Sequence, residues 1–483
     1  MTLKAKTLSG LTWSLIDAVA SQGITFIVGL VLARLLSPEE FGLIGMVAIF
    51  IALSASFINS GFSNALIRKK NCTEEDYSTV FYFNLIAGLL LFFTLFFSAG
   101  SIATFFREPQ LKEIVRVLSL LLIIESLTII QLTILTKRID FKLQTKISIV
   151  AALGSGVVAL ILAFNNFGVW SLVAQKLLYQ TINSALLWRW NRWRPRAKFS
   201  RASFRELFGF GGKIMVSGLI DTIWRNIYTL IIGKFFSARE LGYFSRADNF
   251  KQLPANNLNS IISRVTYPVL ASLQDDKEQL KRSYRLLIRA TMFLTFTLIL
   301  GMGAVAEPMV ETLIGHRWAA VIPLLQLLVF QGMMYPLHAL NLNMLQVQGR
   351  SDLFLKLEII KKILAVPTVI IGIIWGIKAM IIGMIINEQI AYFLNSFYSG
   401  KFIGYSYLQQ IRDILPSFLL ALAMALVVYL IGHFSPLSHP ANLAIGLFVG
   451  ALFIFTFCET TQFRDYIYLK ELALEKFKPL LKP

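Results

Sequence analysis

Apolar residues along this 483-residue chain gather into runs of about twenty, parted by short polar connections, from one end to the other. A helix of that length crosses a hydrocarbon core of about 30 Å. Fourteen spans are predicted, at 10–34, 41–64, 79–100, 113–136, 147–164, 168–188, 214–233, 247–272, 286–306, 319–345, 359–377, 379–398, 414–432 and 442–458. The run from Gly10 to Arg34 is too long for the apolar part of a cleaved signal peptide. It also lacks a small-x-small site before the next run, so it reads as a span. The chain is therefore expected to be an all-α polytopic membrane protein.

Composition agrees. Hydrophobic residues make up 56% of the chain and charged residues 15%, against about 25% charged in soluble domains. The 39 phenylalanines suit lipid-facing surfaces. A formal charge of +19 invites a nucleic-acid partner, but the basic residues sit in short clusters between spans, not in one domain or stripe. Of the 46 Lys and Arg, 32 lie in one alternate set of connections and about 7 in the other. By the positive-inside rule, the first set and both termini are expected in the cytoplasm. The opposite connections reach only about a dozen residues, leaving no room for an external catalytic domain. Cys72 and Cys458 fall on the expected cytoplasmic side, where thiols stay reduced, and form neither a disulfide framework nor a metal site.

A repeat divides the chain. The first span ends in Arg34-Leu-Leu-Ser-Pro-Glu-Glu40-Phe-Gly42, and the seventh in Lys234-Phe-Phe-Ser-Ala-Arg-Glu240-Leu-Gly242. Ser14-Leu-Ile-Asp17 and Gly218-Leu-Ile-Asp221 add a second match, offset by four residues. Two six-helix lobes related by pseudo-symmetry are expected, at 1–188 and 214–398, with residues 399–483 holding two further spans and a tail. Such repeats place the substrate path of many transporters at a lobe interface. The linker 189–213 carries Arg189-Trp-Asn-Arg-Trp-Arg-Pro-Arg196. It reads as an interfacial anchor with Trp at headgroup level, or as a dock for a cytoplasmic glycosyltransferase.

Polar groups inside the spans carry the chemistry, because a charge at the bilayer centre costs from about 2.5 kcal/mol upward. The eighth span is the most polar. Asn249, Gln252, Asn256, Ser260 and Arg264 recur at helical spacing on one face, which must line water or a polar ligand. Arg246 precedes that face, Lys251 lies off it, and Pro254 predicts a kink. Asp221 and Arg225 stand four apart on the seventh span. Either they neutralise each other, or Arg225 offers a phosphate its planar fork. Lys176 shares a face of the sixth span with Gln180 and Asn183, where it lines a cavity or snorkels to an interface. Asp17, Glu125, Asp221 and Glu388 are structural partners or carriers of a coupling proton or sodium, and His338 is a further titratable group.

No zinc-protease motif, cysteine pair at ligand spacing, nucleotide fingerprint or Walker loop is present, so neither an enzyme, a metal or cofactor site, nor an ATP-driven pump is expected. Several strings are distinctive: Asn59-Ser-Gly-Phe-Ser-Asn-Ala-Leu-Ile-Arg-Lys-Lys70, Ser78-Thr-Val-Phe-Tyr-Phe-Asn84, Gly168-Val-Trp-Ser-Leu-Val-Ala-Gln175, Leu241-Gly-Tyr-Phe-Ser-Arg-Ala247, Ile262-Ser-Arg-Val265 with Tyr267-Pro268, Tyr335-Pro-Leu-His-Ala-Leu-Asn-Leu-Asn343 and Gly349-Arg-Ser-Asp-Leu-Phe-Leu-Lys-Leu-Glu358. In these the chain resembles the Wzx-type polysaccharide flippases, of the branch of colanic-acid-like lipopolysaccharide exporters within the multidrug/oligosaccharidyl-lipid/polysaccharide superfamily. The resemblance implies two six-helix lobes around a central cavity, alternating access, and a location in the bacterial inner membrane. It implies as cargo an undecaprenyl-pyrophosphate-linked oligosaccharide moved to the periplasmic leaflet, with polysaccharide polymerases and glycosyltransferases as further partners. It also implies cavity cations, a role that Arg225, Arg264, Lys176 and Lys251 match by position. The rival readings are an ion-coupled multidrug antiporter of the same superfamily, which calls for an acidic cavity, and a polymerase or ligase, which needs larger external loops. A non-transporting scaffold would leave the polar stripe without a purpose.

Overall fold

The computed structural model describes the backbone of residues 3–59 and 61–477, and side chains except at 1–12, 14, 15, 18, 19, 60, 253, 255–269, 351, 472, 473 and beyond 474. Among the described residues every regular element is helical. Hydrocarbon offers a backbone no hydrogen-bond partner, so a spanning segment must satisfy its amides within itself, as a helix does.

The chain divides into two compact units, Met1–Gly242 and Tyr243–Pro483. The first holds α1 (Leu3–Leu35), α2 (Pro38–Asn59), α3 (Phe62–Arg68), α4 (Glu74–Phe106), α5 (Leu111–Lys137), α6 (Phe141–Phe164), α7 (Val169–Asn191) and α8 (Arg201–Phe235), together with the start of α9 (Ala238–Ser272). The second holds the rest of α9, then α10 (Lys277–Ala304), α11 (Ala306–Leu313), a 3-10 turn (His316–Trp318), α12 (Val321–Gly332) and α13 (Tyr335–Val347). It continues through α14 (Ser351–Trp375), α15 (Ile377–Ile403), α16 (Tyr407–Phe434), α17 (His439–Thr460) and α18 (Arg464–Phe477). Helix α8 packs on α2, α3 and α4, so the units part after it.

All fourteen predicted spans fall on helices, the second on α2 with α3 and the tenth on α12 with α13. Nine are long and apolar enough to cross a membrane among the described residues. The others are α1, of which Ala20–Leu35 is apolar, and α7, α8, α9 and α14. Four of these five, α1, α7, α8 and α9, carry charged or amide candidates. Not expected were α11 with the turn after it, and α18, whose Asp465 lies 2.7 Å from Arg289 of α10 and accepts from Ser417 of α16 at 3.0 Å.

Helix ends follow local chemistry. Thr73 and Asp76 form a capping box that starts α4, and Ser406 and Gln409 another that starts α16. Between α2 and α3 the chain turns at Gly61, whose φ of +66° suits glycine. A Cβ there would also stand 2.5 Å from the Gly211 carbonyl oxygen of α8.

The repeated strings adopt the same corner. Ser37 donates from its amide and hydroxyl to Glu40 at 2.6 and 3.0 Å, and Ser237 to Glu240 at 3.1 and 3.0 Å. The two corners then pack on each other reciprocally. A Cβ added to Gly42 would lie 1.7 Å from the Ala238 oxygen, and one added to Gly242 would lie 1.9 Å from the Pro38 oxygen. The glycine ending each repeat is thus the contact point for the start of the helix in the other.

The expected linker is mostly helical, with its basic residues all exposed. Helix α7 runs to Asn191 and α8 starts at Arg201, leaving 192–200 irregular. Trp193 turns into the protein rather than outward. It is buried against Phe81 and Tyr77, donates from Nε1 to Glu74 at 3.0 Å, and its carbonyl accepts from Gln131 at 3.0 Å. An indole whose N–H meets a partner is better placed in a packed core than at an interface. Trp190 alone of this pair stays exposed.

Gly42→Ala and Gly242→Ala are each expected to cost about 1–3 kcal/mol by forcing two backbones apart. Thermal unfolding of the purified protein in detergent checks this. Gly100→Ala, with nothing within 4 Å of its Cβ, should hold or raise Tm; equal losses at all three glycines would refute the close crossing.

Candidate functional site

The polar groups within the spans fall into two sets, those left exposed and those taken up by the protein. On α8, Arg225 and Asp221 pair at 3.0 Å, yet their side chains remain 74% and 52% exposed. Asp221 lies seven residues after the start of the predicted span 214–233 and Arg225 eight before its end, so the pair sits well inside it. On α9, Asn249 and Gln252 are exposed, and Gln252 donates to Asp248 one turn back. Lys176 is exposed on α7. Asp17 of α1 and Glu125 of α5 are half-buried. Asn256, Ser260 and Arg264, on the polar face of α9, lie outside the described residues.

The second set forms a chain of contacts in the second unit. Lys251 is 7% exposed. Its ammonium lies 2.5 Å from Asp248 Oδ1 and donates to Gln331 Oε1 at 2.7 Å. Its stem passes over Gly332, where a Cβ would meet Lys251 Cγ at 2.7 Å, so the small residue makes room for the long one. Gln331 Nε2 donates in turn to Glu388 Oε1 at 2.8 Å. The other carboxylate oxygen of Glu388 lies 2.7 Å from His338 Nε2. Asn395 Nδ2 stands 3.1 Å from His338 Nδ1. Four helices, α9, α12, α13 and α15, are joined by this chain.

Beside it, Asn341 donates to Gln410 at 3.3 Å and accepts from Ser399 at 2.5 Å, while the Tyr392 hydroxyl donates to Gln410 at 3.3 Å. Buried polar groups are costly unless paired, and these are largely paired with one another. Arg246 is buried too, with its guanidinium 5.4 Å from the centre of the Trp318 ring.

Of the cations expected to meet cargo, Arg225 and Lys176 are therefore exposed, and Lys251 and Arg246 are engaged inside their unit. Glu388 and Lys251 are brought together through Gln331, whereas Asp17, Glu125 and Lys176 stand on three separate helices of the first unit. Gln331, Asn395 and Gln410 were missed. Their only signal was an amide in an apolar run, which every helical membrane protein contains.

A family model described as "Polysaccharide biosynthesis protein" matches residues 31–323. The lipopolysaccharide biosynthesis protein WzxC of Escherichia coli strain K12 is 27% identical over 443 residues, covering 89% of each chain. The succinoglycan biosynthesis transport protein ExoT of Rhizobium meliloti strain 1021 is 27% identical over 464 residues, covering 93% of this chain and 91% of ExoT. Among solved structures, the lipid II flippase MurJ in its inward closed conformation superposes with a TM-score of 0.75 at 16% identity. It covers 93% of this chain and 99% of that one. The last likeness establishes the fold.

Lys251→Met should leave Asp248 and Glu388 without their cation and cost about 3–5 kcal/mol. Arg225→Ala removes an exposed pair and should cost about 0–1 kcal/mol. Denaturant unfolding of the two variants in the same detergent checks the contrast, and equal stabilities would refute the buried chain.

Proposed function

Because this chain belongs to the polysaccharide biosynthesis protein family, we propose that it flips a lipid-linked oligosaccharide across the bacterial inner membrane. The cargo is the undecaprenyl-pyrophosphate-linked unit of a surface polysaccharide, moved from the cytoplasmic to the periplasmic leaflet by alternating access. Glycosyltransferases that build the unit act before this step, and a polymerase acts after it. The observation that carries this reading is the exposed Asp221–Arg225 pair deep in α8. Charges so placed cannot face acyl chains and must face water. A guanidinium in such a wet recess suits a pyrophosphate, which it binds through two parallel hydrogen bonds. Lys176 is a second exposed cation within a span of the same unit, and Arg264, Asn249 and Asn256 are candidates for contact with the cargo by their place in the sequence.

The physical task is to keep the sugar and pyrophosphate wet while the lipid tail stays in hydrocarbon. Two negative charges moving outward gain about 4–5 kcal/mol from an inside-negative potential of about 100 mV. A drug antiporter would favour cationic cargo and call for a surplus of exposed acid. Arg225 and Lys176 against Asp221 run the other way, and unchanged drug susceptibility in a deletion strain separates the two readings.

A returning proton resets the empty carrier in this reading, bound at His338 and Glu388. Around the imidazole stand Glu388 and Tyr392 from α15, with Lys251 and Asp248 of α9 one step beyond. Both oxygens of Glu388 are already engaged, by Gln331 and His338. A sodium ion, which needs several oxygen ligands, would have to displace both. A proton needs neither displaced.

Arg225→Ala combined with Arg264→Ala should abolish surface polysaccharide while the protein stays in the membrane at its usual level. Normal polysaccharide in that strain, read by immunoblot, would remove the phosphate role. In proteoliposomes, His338→Gln should abolish acceleration by an imposed pH gradient and spare flipping driven by potential alone. A gradient response that survives the substitution would sink the proton site.

A further inference from the structure

The first unit contains a second polar recess, and none of the charges above is among the residues that line it. A cleft of about 340 Å³ opens where α2, α3, α5 and α8 meet, lined on its polar side by Ser56, Asn59, Ser63, Asn64, Thr133 and Thr136. The volume is at the low end for a small-molecule site, about 300–1,000 Å³. Its walls otherwise are aliphatic, including Ile67, Ile129 and Ile214. No charged side chain is among the described residues that line it.

The absence of charge is not for want of cations nearby, because three that border it, Arg68, Lys69 and Lys137, are committed elsewhere. Arg68 lies 4.4 Å over the Phe210 ring. Lys69 pairs with Asp76 and Glu206, each at 3.0 Å. Burial opposes its charge, but those two carboxylates outweigh burial and hold its pKa above the ordinary lysine value. Lys137 donates to the carbonyls of Leu66 and Lys69 at the end of α3, and to Cys72. What remains in the cleft is a line of hydroxyls and amides. The Thr133 hydroxyl donates to the Ile129 carbonyl of its own helix at 2.8 Å and stands 3.1 Å from Ser63 Oγ, which donates to Asn59 at 3.1 Å. The chain orients Asn59 while Asn64 stays exposed. Gly61 and Gly218 keep the floor low: a Cβ on Gly61 would press Gly211, and one on Gly218 would come within 3.4 Å of Ser56 Oγ.

Such a surface discriminates. Without a cation it has nothing to offset the desolvation of a pyrophosphate. Amides and hydroxyls instead match the vicinal hydroxyls of a sugar ring, each able both to donate and to accept, and the aliphatic walls match its C–H faces. We propose that this cleft is a docking subsite for an uncharged mono- or disaccharide portion of the cargo, separate from the groups that hold the pyrophosphate. The residues lining it fall in or beside the basic connections 65–78, 137–146 and 189–213, the last of which ends at the exposed Lys213 next to Ile214. On the orientation expected from charge, these are cytoplasmic, so the sugar is met where the cargo is loaded. The subsite rests on the flippase reading and assigns to it a second, sugar-reading contact.

The test uses the full chain in lipid nanodiscs with Cys72 and Cys458 replaced by Ser, and Asn64→Cys or Thr136→Cys labelled by a membrane-impermeant maleimide. Lipid-linked oligosaccharide extracted from the source strain, at about 90% occupancy, should slow labelling about tenfold, and undecaprenyl pyrophosphate without sugar should not. Asn64→Ala with Thr136→Val should weaken binding of the sugar-bearing lipid about tenfold, as expected for two lost hydrogen bonds, and leave the sugarless lipid unaffected. Equal protection by both lipids overturns the subsite, as does absence of protection in a protein that still flips its cargo. Absence of flipping by the unsubstituted chain overturns the subsite together with the reading beneath it.

Discussion

Hydrocarbon neither hydrogen-bonds nor solvates charge, and that single restriction sorts this molecule. It makes every described regular element a helix, since a helix closes its own backbone hydrogen bonds. It also leaves each polar side chain in a span only two fates: to be consumed by other protein groups, or to face water. Lys251, Glu388 and His338 meet the first fate, joined in one chain of contacts with Gln331. Arg225 and Asp221 meet the second. A charge that is both deep in a span and exposed is an expensive feature, since hydrocarbon offers it no partner.

The two fates also differ in what they do to the fold. Exposed pairs such as Arg225–Asp221 add little stability, so their substitution reads out function almost undisturbed. The buried chain is the reverse. Lys251 cannot be removed without stranding Asp248 and Glu388, so loss of activity there says nothing about contact with cargo. Position in the sequence does not separate these cases. Lys251 and Asn249 are two residues apart on the same helix, yet one is enclosed and the other exposed.

Much of the architecture is legible in the chain because the membrane imposes a one-dimensional rule. Apolar runs foretell the long helices other than the polar α9, and the repeated strings return as two like helix corners. The polar α9 is legible as well, being too rich in amides to face lipid. Partnerships are not legible. Lys251 meets Gln331 eighty residues away, and Asn395 meets His338 fifty-seven residues away; neither pairing has a local signal. Trp193 misleads for a related reason. Its basic neighbours suggest a headgroup anchor, but Glu74 and Gln131, distant in sequence, draw it into the protein. The hydroxyl-lined cleft is silent too, since a serine or threonine in a span usually bonds back to its own helix, as Thr94 and Thr104 do.

The reciprocal crossing at Gly42 and Gly242 links the repeat to the polar helix. Each glycine lets its helix approach the start of the other until no side chain would fit between. Close backbone contact of this kind is how helices associate in lipid, where no hydrophobic drive favours one apolar face over another. The crossing fixes the first turn of α9 against the first turn of α2. From that fixed turn α9 runs on past Lys251, held by α12, to Pro254, which lacks the N–H needed to bond the preceding turn. A helix pinned at its start, tied again in its third or fourth turn and weakened immediately beyond has little freedom before Pro254. Pro254 is thus the first backbone position along α9, past these two contacts, where a helical hydrogen bond cannot form, and among the described residues the His338–Glu388 pair connects to α9 one turn before it, through Gln331 and Lys251.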